Sequence, residues 1–234
     1  LPAANSGHSE AIGEGCYFHP HAFYESFASS GASPDLANTS QSWINLGSSY
    51  AVAPSGASYV APAGASLTLS PPGSSCSDVL GGPLAWDDAL STPIVLPFNF
   101  PFPGGSTNEI TISSNGSVYL ASVVDNSFDA CSAPYGDFAA FRNGPARISA
   151  YSHDLDPSAG GGIYYEVGPS NAWVRVTFAS VQEFGVPSSL STMQITLSAT
   201  GDVDVVYGAL RNQVGGNNAI VGFTPGMGSR LPSA

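Results

Sequence analysis

The 234-residue chain is 43% hydrophobic, enough to bury a sizeable core, and its 27 Gly and 19 Pro break it into short segments. Only 9% of residues are charged, the five basic ones are all Arg, and the net charge is −12; five scattered Arg cannot form the basic face that nucleic acid or an anionic membrane surface requires. No apolar run reaches the roughly 18 residues that a membrane-spanning helix needs, and no basic-then-apolar signal remains at the amino end, so if the chain is secreted a processed or trimmed form is expected.

Residues 1–15 carry no apolar period and read as an extended arm. Residues 16–91 read as an N-terminal β region with candidate strands at His21–Phe27, Ser42–Leu46, Ser49–Val52, Ser58–Val60 and Ser66–Leu69, each bounded by Gly, Pro, Ser or Asn. The Ala/Ser/Gly/Pro run Ala53–Gly64 is either a connecting ribbon or sheet-edge strands. From residue 92 to 234 the pattern sharpens into a β-sandwich domain with an extended tail from Thr224. Pro93 to Phe102 alternates apolar residues with proline, which confines it to an edge strand or extended segment. Asn115-Gly116 between Glu109–Ser113 and Ser117–Leu120 predicts a hairpin with positive φ at both central residues. Ala146–Tyr151 follows, then an acidic loop from His153 to Gly162, then strands at Ile163–Val167, Ala172–Ala179, Met193–Ala199, Val203–Tyr207 and Ala219–Phe223. Helical periodicity is confined to a turn near Gly136–Phe141. Short strands with regular turn signals predict an all-β fold, an antiparallel β-sandwich or jelly-roll-like architecture, with a smaller N-terminal β subdomain as one arrangement.

Leu96-Pro97-Phe98-Asn99-Phe100-Pro101-Phe102-Pro103-Gly104-Gly105, Ile112-Ser113-Ser114-Asn115-Gly116-Ser117-Val118 and Ser152-His153-Asp154-Leu155-Asp156-Pro157 followed by Gly160-Gly161-Gly162-Ile163-Tyr164-Tyr165 together resemble the nidogen-like (NIDO-type) β domain of secreted bacterial surface proteins. The resemblance covers about residues 92–225. Ser152 and His153 stand where that family often has Trp and Asp. It implies an extracellular module of adhesion, matrix or surface assembly, without catalytic residues.

Three cysteines allow one internal bridge. Cys76 and Cys131 both sit in Ser/Pro/Asp-rich loops and form the favoured pair, the other two pairings remaining open. Cys16 would then be either an inert thiol or a bridge between subunits. Asp154, Asp156 and Ser158 offer oxygens at positions one, three and five, a spacing for Ca²⁺, though Ala159 and Tyr165 replace the Gly and Glu of a full loop. The competing reading has these Asp capping turns. His19, His21 and His153 could supply imidazoles to a metal, and Glu166 with Glu183 could supply a glycosidase pair. Tyr17, Phe18, Phe23, Tyr24 and Phe27 are either a sugar-stacking platform or core. Asn38 and Asn115 head N-glycosylation sequons, the second expected at an accessible hairpin tip.

The leading expectation is a non-catalytic extracellular subunit that assembles with copies of itself into a fibre, filament or surface matrix, with no resident cofactor. A monomeric carbohydrate-binding or adhesive module is the alternative, and a secreted hydrolase or metalloenzyme the second alternative.

Overall fold

The computed structural model describes residues 21–28, 33–64, 67, 87–123, 138–211 and 218–227. In chain order these form β1 (Phe23–Phe27), β2 (Ser40–Asn45), β3 (Tyr50–Pro54), β4 (Ile94–Phe102), β5 (Gly105–Ile112), β6 (Ser117–Tyr119), α1 (Phe138–Asn143), β7 (Arg147–Ser152), β8 (Leu155–Asp156), β9 (Gly162–Val167), β10 (Trp173–Glu183), β11 (Val186–Ser198), β12 (Val203–Tyr207) and β13 (Ala219–Thr224). The arm, Cys16, Cys76, Cys131, His19, Tyr17, Phe18 and most of Ser66–Leu69 lie outside the described residues.

Two antiparallel sheets pack as a sandwich. One runs β1-β13-β7-β6-β5-β4; the other runs β3-β2-β12-β11-β10, with β8 and β9 both pairing β10. Period-two alternation builds the layer between them. In β10, Val174, Val176 and Phe178 are fully buried inward while Arg175 remains half-buried outside. Ile148 of β7, Ile110 and Ile112 of β5, and Ile195 and Leu197 of β11 fill the same core, each contributing about 1.5–3 kcal/mol by burial. Tyr50 meets Phe223 edge-on at 4.9 Å, and Phe23 meets Trp43 at 4.9 Å, locking one sheet to the other.

The described N-terminal strands form no sheet of their own. β1 pairs β13, and β2 pairs β12, so the first strands complete both sheets. β4 is an edge strand, as its prolines require, and its register on β5 breaks between Val95 and Phe100, across Pro97, which has no N–H to donate.

The β5–β6 hairpin forms with a different turn from the one predicted. Ser113 N donates to Ser117 O at 2.9 Å, and positive φ occurs only at Gly116 (+82°), so the loop spans Ser114–Gly116. A Cβ at Gly116 would lie 2.2 Å from Tyr151 O, so only glycine fits there.

Ser58–Val60 is not a strand. The chain after β3 is a ribbon that crosses the outside of the β3-to-β9 sheet along one cross-strand row, Ser40–Val206–Gln194–Thr177–Tyr164. Ser55 N bonds Ser40 O, Val60 exchanges two hydrogen bonds with the Gln194 amide, and Ala63 N bonds Glu166 Oε1. Leu67 N then reaches Ile163 O of β9. This cover explains why Gln194, Thr177 and Val206 are buried although they face away from the core.

Candidate functional site

Buried carboxylates are costly unless neutralised or bonded, and one end of the sandwich gathers four of them. Asp87 and Asp88 lie just before β4. That segment is sewn to the β5–β6 turn by Ala89 N to Ser114 Oγ (2.9 Å) and Ser114 N to Ala89 O (2.8 Å). Asn115 is the junction. Its Nδ2 donates to Asp88 Oδ1 at 3.0 Å, its Oδ1 accepts from Leu155 N at 2.9 Å, and its carbonyl accepts from His153 N at 3.1 Å. These bonds draw the loop after β7 inward and bring Asp154 to Asp87 and Asp88, with one oxygen of each within 4.8 Å of the others.

The electrostatic consequence falls on Asp87. Burial, then the charges of Asp88, Asp154 and Asp156, push its pKa up to about 8, against the bond it accepts from Asp88 N. A proton on Asp87 relieves this crowding; three such oxygens are also of the hard type that a divalent cation takes.

Beside them lies a second buried set. His153 Nε2 and Glu183 Oε1 are 2.6 Å apart, and Ser189 Oγ donates to Glu183 Oε2 at 2.6 Å. All three are buried, and His153 Nδ1 has no hydrogen-bond partner among the described residues. Phe184 N donates to Asp154 O, tying this set to the acidic one. The arrangement can hold charge and a proton inside the fold, and its serine, imidazole and carboxylate are all shut away from solvent.

The sequence-predicted residues therefore divide. Asp154 belongs to the buried centre, but Asp156 caps a turn, accepting from Ser158 N, Ser158 Oγ and Ala159 N, and Ser158 is exposed. The one-three-five loop is thus not a single ligand set in this structure, because Asp154 turns to Asp87 and Asp88 instead. Asn115 is wholly buried with both amide atoms engaged, so the expectation of an accessible sequon there is corrected; Asn38 is exposed in a turn at φ +61°. Glu166 pairs across from Arg175, and Glu183 ends the same strand roughly 25 Å further on at about 3.3 Å per residue, well beyond the roughly 5–10 Å of a glycosidase pair. His21 precedes β1 and His153 is level with its far end, roughly 20 Å away by the same rise, so the two do not converge. Phe23 and Phe27 pack on the core, and Tyr24 stacks on Phe138 at 3.9 Å. Asp87, Asp88 and Ser189 escaped sequence reading. Two consecutive Asp in so weakly charged a chain were the available signal.

On one flank of the sandwich, a groove of about 310 Å³ opens between β1 and β3, lined by Phe23, Tyr24, Glu25, Gln41, Val52 and Val221. Glu25 is held above the usual carboxylate range by partial burial and by Asp35.

A family model described as NIDO related matches residues 49–233. No curated protein and no solved structure matches the chain.

Proposed function

The chain belongs to the NIDO-related family, and from that premise we propose that it is a non-catalytic extracellular structural module that assembles with copies of itself. The observation that supports this is the way the sandwich treats its edges. An unpaired edge strand is a template for another chain, and folds that stay apart blunt it with proline, charge, shortness or a cover. β4 carries Pro97, Pro101 and a register break. β8 is two residues long, and β9 is flanked by Leu67. β1 bears Glu25 next to Asp35.

β3 meets proline only at its last residue, Pro54, and among the described residues nothing covers its open edge. Tyr50-Ala51-Val52-Ala53-Pro54 holds no charge, and β2 is its one partner among the described residues. It lies in a stretch, residues 36–77, that contains none of the chain's 17 acidic or five basic residues. Two copies at −12 each repel over most of their surfaces, and least here.

Negative-stain electron microscopy of the mature protein across a concentration series, at near-physiological salt, tests the proposal. Ordered assemblies that grow with concentration are expected. Dispersed monomers throughout would overturn it.

A further inference from the structure

We infer that β3 is a self-complementary contact, pairing antiparallel with β3 of a second copy about a two-fold axis at Val52. The inference rests on the self-assembly reading and names the surface that carries its first step.

The strand is suited to meeting itself. With Val52 in the middle of Tyr50–Pro54, two-fold pairing sets Tyr50 against the partner's Pro54, Ala51 against the partner's Ala53, and Val52 against its own counterpart. Directly opposed residues of an antiparallel pair approach to about 4.5–5.5 Å between Cβ atoms, and β-branched pairs are favourable there. Val52 lies opposite Trp43 on β2, yet is 45% exposed, because nothing described flanks it on the groove side. A second Val52 covers that flank. On the other face, Ile44 is 47% exposed beside Ala51, and the small side chains Ala51 and Ala53 leave room for the partner's sheet to continue. Pro54 supplies no N–H, so the new ladder stops there.

The charge pattern selects the occupant. A basic peptide would find no carboxylate along β3 to pair with, and the acidic Glu25–Asp35 pair lies on the other side of the groove. Between two copies of a strongly acidic chain, an uncharged edge is where approach costs least. The contact is isologous, so it closes on itself and yields pairs with one sheet running through both molecules; longer assemblies need a second contact elsewhere. Five residues a side fall short of the roughly 1,200 Å² of a stable interface, so pairing is weak and concentration-dependent.

The test is sedimentation velocity on the full chain from about 10 μM to about 1 mM, a range that brackets weak association, with Val52→Lys and Ala53→Lys alongside. Wild type is expected to move from its 23.8 kDa monomer towards twice that mass, with hydrogen exchange at residues 50–53 slowing in parallel. Both variants are expected to stay monomeric with unchanged melting temperature; Ala53 is exposed, so its variant stands if Val52→Lys misfolds. Association that persists unchanged in both variants overturns the β3 contact and leaves self-assembly standing. A wild-type monomer at every concentration overturns both.

Discussion

His153 Nε2 lies 2.6 Å from Glu183 Oε1, and neither side chain has any solvent exposure. A carboxylate so placed depends on its partners, since one left alone in the interior bears the whole cost of its lost hydration. The pair also joins the end of β7 to the β10–β11 hairpin, so its loss is felt by both sheets.

His153→Ala is therefore expected to lower unfolding free energy by about 3 kcal/mol or more, the cost of stranding a buried charge. Ser189→Ala removes one hydrogen bond to the same carboxylate and is expected to cost about 1–2 kcal/mol. Urea denaturation at pH 7 measures both. Equal effects from the two variants would mean that the imidazole is no more than one hydrogen-bond partner.

Asp87 sets a pH dependence of opposite sign to that of an ordinary paired carboxylate. Its folded pKa, about 8, lies above its unfolded value near 3.8, so the folded state binds more protons between them. Its contribution is complete below about pH 4 and is lost as pH rises towards 8, at up to about 1.4 kcal/mol per pH unit. Asp87→Asn keeps an acceptor for Asp88 N and cannot ionise. The variant is expected to flatten this fall and to be the more stable protein at pH 8, which melting curves between pH 4 and 9 would reveal.

Gly116→Ala places a methyl against Tyr151 O in a backbone region that L-residues avoid. A loss of about 3 kcal/mol or more is expected from the two effects together. Because the same turn presents Asn115, the variant should also raise hydrogen exchange at Leu155 N, whose acceptor is Asn115 Oδ1.

Gln194→Leu cuts both hydrogen bonds to Val60 while keeping bulk beneath the ribbon. Stability should fall by about 1–3 kcal/mol, and limited proteolysis should move to residues 55–64. Unchanged cleavage would show that the ribbon is held by its ends.

The parts of the fold that could be read from sequence were local. Asn115-Gly116 marked a hairpin, Pro97 and Pro101 marked an edge, and Met193–Ala199 with Val203–Tyr207 marked strands that pair as β11 and β12. The turn type at Asn115 was missed because it answers to Tyr151 and Asp88, neither of which is a sequence neighbour. Ser58–Val60 alternates like a strand, yet its partner is the side chain of Gln194 and not another backbone. The acidic centre was half legible. Asp154 stood out, but its companions Asp87 and Asp88 arrive from a separate segment, and no local spacing encodes that meeting.

The pairing of β1 with β13 has a kinetic consequence. β1 takes its register from β13, Phe23 against Phe223 and Phe27 against Ala219, while β2 waits for β12. During synthesis β1 and β2 cannot join their sheets in this register until β13 and β12 have emerged. Contacts of such long sequence separation make folding slow, so β1 and β2 lack these sheet neighbours until β12 and β13 are available.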